Sequence, residues 1–182
     1  MKPIFATLLL LTACGDDPVS YSAPVGINLK VKSGDVSNDA VSDQKGINTE
    51  SGNPYGAFVA DAQAKLGSDP TSIEIESLTL TLGAQSTGVT TLEEVYTGDV
   101  DVAFLMNDTN NTYDVGHIID PTGVGPADVD VAFASAQVSS TDFPKLLGGG
   151  FSVVIRGPAA ATFSSKGAEA NMQLTFTFAA FE

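Results

Sequence analysis

The chain has 182 residues, 43% of them hydrophobic and 16% charged, with 18 Gly, no Trp, one Cys and a formal net charge of −14. Nucleic-acid binding needs a basic footprint that displaces counterions, and 8 Lys and Arg against 22 Asp and Glu exclude it. A single cysteine excludes a disulfide framework within the chain, so a hydrophobic core must supply the stability. Low charge with abundant Gly, Val, Thr and Ala points to β structure rather than to helices with charged faces.

The N-terminus carries Lys2 and then an apolar run from Pro3 to Ala13, too short to span a bilayer as a mature helix. The run closes on Leu11-Thr12-Ala13-Cys14, and the next residues, Gly15-Asp16-Asp17-Pro18, are polar and break a helix. This layout resembles the lipobox of bacterial lipoproteins over residues 1–14. The resemblance implies a signal peptide over 1–13, cleavage between Ala13 and Cys14, and diacylglycerol on the Cys14 sulfur, with acylation of the new amino group. It places the protein in the cell envelope, held to the lipid bilayer. Gly15 stands where enterobacterial lipoproteins retained in the inner membrane carry Asp, so by that analogy the outer membrane is favoured. No family resemblance extends beyond residue 14.

Residues 14–24 read as the lipidated Cys and a polar, Pro-containing tether, and residues 25–182 as one domain. Val25, Ile27, Leu29 and Val31 alternate with polar or small residues, the period of a half-buried strand. Residues 33–53 are polar and poor in large apolar groups, and read as a long surface loop. Asn53-Pro54 is a helix start and Gly67 a stop, which predicts a helix over 54–66 with Tyr55, Phe58, Val59, Ala62 and Leu66 on one face. In SIEIESLTLTL the apolar phase moves from Ile73 and Ile75 to Leu78, Leu80 and Leu82, which predicts a bulge or a change of sheet. Further stripes run through Val100–Met106, through Tyr113, Val115, His117 and Ile119, and from Val129 towards Val138.

The segment STDFPKLL allows one helical turn. Phe151, Val153 and Ile155 form a strand, Ala161 and Phe163 suggest a short one, and Met172–Phe178 close the chain as a strand expected to be central. About eight strands and one helix describe a mainly β chain, an antiparallel β-sandwich, with a closed barrel as the alternative.

The hexapeptide DVDVAF occurs at 99–104 and 128–133 with unlike flanks. A meander of these strands with 113–119 would gather Asp99, Asp101, Asp120, Asp128 and Asp130 at one rim, where carboxylates can hold calcium. A solvated acidic face explains the same residues. Asp108, Asn110, Thr112 and Asp114 follow the alternate spacing of calcium ligands. However, Tyr113 replaces the turn Gly, and Ile119 stands where the bidentate Glu belongs, so a polar hairpin turn fits as well. His117 is the only histidine, and neither GxSxG nor HExxH occurs. Gly-rich segments at 123–125 and 148–150 lead into strands and cradle no phosphate.

Three functional readings follow. The first is a non-catalytic binding or envelope-structural module with a protein or glycan partner. The second is a calcium-stabilised adhesion-type module. The third is a hydrolase of envelope polymers whose acid and base come from Glu93, Glu94, Asp99 or Asp101, recognisable by a deep pocket with two carboxylates in opposed environments.

Overall fold

The computed structural model describes residues 19–182 except Ser51 and Lys166, so Cys14 and the signal segment lie outside the described residues. Two antiparallel sheets, not a closed barrel, enclose the core. One sheet contains β1 (Ser20–Lys32), β9 (Glu169–Phe181), β3 (Ser72–Leu82) and β6 (Ala127–Asp128) in that order. The other contains β2 (Ala40–Gly46), β8 (Phe151–Pro158), β4 (Val100–Met106), β5 (Thr112–Ile118) and β7 (Asp130–Val131). As expected, the C-terminal β9 is paired on both sides, by β1 and by β3.

Alternation decides which side chains meet. Val25–Val31, Leu78–Leu82, Val100–Met106 and Met172–Phe178 turn their large apolar members inward. Phe104 sits at the centre, with ring centroids 4.9 Å from Phe151, 5.2 Å from Phe133 and 6.0 Å from Phe176. A fully buried aromatic side chain removes about 1.5–3 kcal/mol of apolar surface from water. Helix α1 (Pro54–Leu66) has the expected bounds, with the Asn53 side chain accepting from the Tyr55 N–H and Gly67 ending it in the left-handed region. Its face of Tyr55, Phe58 and Leu66 closes one end of the sandwich against Phe151 and Phe178. The phase change in β3 is a bulge between Ile75 and Ser77 that leaves Glu76 unpaired with β9.

Four expectations are corrected. The sheet starts at Ser20, not at Val25: residues 20–24, taken for tether, pair with Phe181–Thr177. Inside the supposed loop 33–53, β2 pairs with β8 as an edge strand, and only Val41 in it is buried, so its sequence carries no apolar stripe. Ala161 and Phe163 lie in a short helix, α3 (Ala161–Ser165), not a strand. The segment 127–138 is not one strand: it pairs with β3 through β6, crosses between the sheets at buried Val129, pairs with β5 through β7, and ends in a 3-10 turn at Ser135–Gln137. The predicted turn in STDFPKLL is α2 (Phe143–Gly148).

Candidate functional site

The sandwich has two ends that differ in chemistry. Ser20 pairs with Phe181 at the first end, and Phe181 also pairs with Ser72, so β1 begins there. The second end lies a strand length away, about 40 Å for a strand of this size. There the Leu82 N–H donates to the Val124 carbonyl (2.8 Å), and the Tyr96 hydroxyl lies 3.6 Å from the Met172 Sδ.

At the second end the loop 119–126 forms a rim. A bulge in β5 puts it there: Val102 pairs with Gly116 but Ala103 pairs with Asp114, so Val115 is an extra residue. Val115 and Gly116 are consecutively buried, the alternation reverses, Ile118 turns inward and Ile119 turns out, 67% exposed. The sequence stripe had placed Ile119 with the inward set. The bulge glycine has φ 149°, and a Cβ there would collide with the Asp130 carbonyl, so Gly116 is what lets β7 approach.

The loop is fastened at four points. The Asp120 N–H donates to Asp99 Oδ1 (3.3 Å) and the Gly123 N–H to Glu93 Oε2 (2.7 Å). The Leu92 N–H donates to the Gly123 carbonyl (2.7 Å), and Leu82 holds Val124 as above. Its own amide and the Gly123 amide hold the Glu93 carboxyl below its ordinary value, against a smaller effect of burial. Fixed in this way, the loop still shows Val124 to solvent, 53% exposed.

The loop helps to line two depressions. One of about 270 Å³ is lined by Glu93, Tyr96, Asp120 and Pro121 among others. The other, about 360 Å³ and mostly apolar, is lined by Leu82, Ala84, Val89 and Val124 among others.

The acidic residues singled out in the sequence separate into three places. Asp99 and Asp120 meet at the rim. Asp101 and Asp130 share a row with His117 on the outer face of the second sheet, where Asp130 Oδ2 is 3.8 Å from His117 Nε2 and Asp101 pairs with Arg156 on its other side. Asp128 is on the first sheet opposite Thr79. The two DVDVAF segments do run through one meander, but the second changes sheets in mid-motif and splits its aspartates. Among the described residues no three His, Cys, Asp or Glu side chains come together as metal ligands.

The loop read as a possible calcium site works differently. Asp108, Asn110 and Thr112 are exposed, and Asp114 accepts from the Gly116 N–H at the bulge (3.1 Å). The intervening residues converge on Asp142, which is fully buried. Thr109 Oγ1 and Asn111 Nδ2 donate to it at 2.7 Å, the Tyr113 hydroxyl at 2.8 Å and Ser139 Oγ at 3.1 Å, with Lys145 Nζ 3.3 Å away. The hairpin therefore supplies donors to an internal carboxylate. These bonds, Asn111 first, hold the Asp142 carboxyl far below its ordinary value against the opposing effect of burial. Little local marks Asp142, because three of its partners, Thr109, Asn111 and Tyr113, lie some thirty residues upstream in sequence.

The proposed catalytic carboxylates are not assembled in one pocket. Glu93 lines the rim depression, Glu94 accepts from the Thr90 N–H (2.6 Å), Asp99 holds the loop, and Asp101 is on the sheet face. No protein-family model matches the chain, and no curated protein is similar to it in sequence.

Proposed function

We propose that this protein is a lipid-anchored module of the bacterial cell envelope, with acyl chains on Cys14 and a β-sandwich that binds a partner without catalysing a reaction. The observation that carries the reading is the start of β1 at Ser20. Five residues separate Cys14 from the first paired strand residue, Ser20, a reach of at most about 20 Å, so the domain stands directly on its anchor. Each acyl methylene buried in the bilayer contributes about 0.8 kcal/mol, and two or three chains hold the protein stably. Gly15 favours the outer membrane over the inner by the analogy given above.

Binding is favoured over hydrolysis by the carboxyl groups themselves. Glu93 lines the rim depression, Asp99 accepts from the Asp120 N–H and Asp101 stands on the outer sheet face, so the candidate acid and base are not gathered in one deep pocket as a glycosidase pair would be. Metabolic labelling with an alkyne palmitate analogue tests the anchor. Label is expected on the wild-type protein and absent from Cys14→Ala. Label persisting in Cys14→Ala overturns the assignment.

A further inference from the structure

We propose that the rim formed by residues 119–126 is the binding surface, and that it takes a basic peptide segment in which a Lys or Arg stands beside an aliphatic residue. This inference deepens the binding reading above and rests on it.

Three of the molecule's large apolar side chains are exposed among the described residues: Val19, Ile119 and Val124. Val19 directly precedes β1, on the anchor side, while the other two share one short loop. A single exposed aliphatic residue needs no explanation. Two on a loop pinned by four hydrogen bonds are different, because such a loop cannot fold them away, and a preorganised surface loses little entropy on binding. Val124 also forms one wall of the apolar depression with Leu82 and Val89, which gives an aliphatic side chain of a partner a place to leave water.

Charge complementarity selects the partner. Nearer the start of the same loop, Glu93 and Asp120 line the second depression, and the Asp120 N–H donates to Asp99. Among the described residues neither depression is lined by Lys or Arg. In a chain of net charge −14 the field around this rim attracts cations and repels acidic peptides and acidic glycans. The loop thus lines a seat for an ammonium or guanidinium group through Asp120 and a seat for an apolar side chain through Val124. The lipid enters at the other end of the sandwich, so the rim stands about a strand length from the anchor and is open to a soluble or membrane-bound partner.

The test is a fluorescence-anisotropy titration of full-length protein in detergent with two labelled peptides, Lys-Leu-Lys-Leu-Lys and Lys-Ser-Lys-Ser-Lys. The leucine peptide is expected to bind the wild-type protein more tightly. Val124→Ser and Asp120→Asn should each weaken that binding, roughly tenfold for a central contact. Asp61→Asn on α1, at the other end of the molecule, is expected to leave it unchanged. If Asp61→Asn weakens binding as much as Asp120→Asn, or if the two peptides bind alike, the attraction is general charge and the proposal is overturned. Repeating the titration with Cys14→Ala separates the two readings, since peptide binding is expected to survive loss of the lipid, whereas the palmitate label reports the anchor alone.

Discussion

The two ends of the sandwich handle unfavourable groups in opposite ways. At the end where β1 begins, a charged carboxylate, Asp142, is fully buried and Thr109, Asn111, Tyr113 and Ser139 donate to it. Aromatic rings pack at that end, with Tyr55 against Phe58, Phe151 and Phe178 and its hydroxyl donating to the Leu146 carbonyl at 2.8 Å. At the far end two aliphatic side chains stand in water on a loop held too firmly to bury them. The first arrangement stabilises the fold. The second gives up stability that burial would supply, the usual mark of a surface kept for a partner.

Stability should therefore respond far more at the first end. Asp142→Ala leaves Thr109, Asn111, Tyr113 and Lys145 without their common acceptor, and the melting temperature is expected to fall by about 10 °C. A fall of only a degree or two, read by circular dichroism, would show that water replaces the carboxylate.

The next effect is on pH dependence. The folded-state carboxyl of Asp142 lies below its ordinary value of 3.8, so its stabilisation is complete above that value and lost as pH falls further. Burial raises the Tyr55 and Tyr96 hydroxyls above their ordinary 10.0, so their contribution is present below pH 10 and lost above it. Denaturant midpoints are expected to be flat between about pH 5 and pH 9 and to fall on both sides. Tyr96→Phe should blunt the alkaline fall, because it removes a buried hydroxyl whose ionisation burial opposes.

At the far end, Ile119→Ser and Val124→Ser should change stability by less than about 0.5 kcal/mol, since both side chains are already in water. A larger loss would show that the loop packs more tightly than its exposure indicates. The smallest effect concerns metal. Calcium is expected to raise the melting temperature no more than magnesium at equal concentration, because the hairpin's inward residues hold a carboxylate and its acidic ones stand apart in solvent. A calcium-specific rise would restore a cation site.

How legible these features were depends on whether their cause is local. Asn53, Pro54 and Gly67 mark α1 because capping is a matter of adjacent residues. The phase change between Ile75 and Leu78 betrays the β3 bulge because a bulge shifts alternation within its own strand. The β5 bulge leaves no comparable trace: Tyr113, Val115, His117 and Ile119 keep a clean period of two, and only the approach of β7 at Gly116 decides where the extra residue falls. That one position turned Ile119 from an expected core residue into the most exposed large aliphatic side chain of the rim. β2 was invisible because an edge strand with one buried residue has no stripe to read. Asp142 was invisible because a buried charge is defined by donors that folding brings from elsewhere. The acidic rim was half legible: the meander was foreseen, but the crossing of residues 127–131 from one sheet to the other was not, and it separates Asp128 from Asp130.

The central claim is that the anchor holds one end of the sandwich near the bilayer and presents the other. Single cysteines at exposed Ser68, beside the entry of β3, and at exposed Thr122, on the rim, can carry a fluorophore in lipidated protein reconstituted into vesicles. With Cys14 acylated, each variant has one free thiol. A quencher on the lipid headgroups is expected to dim the fluorophore at position 68 strongly and the one at position 122 little. Equal quenching at both positions, or stronger quenching at 122, would contradict the account.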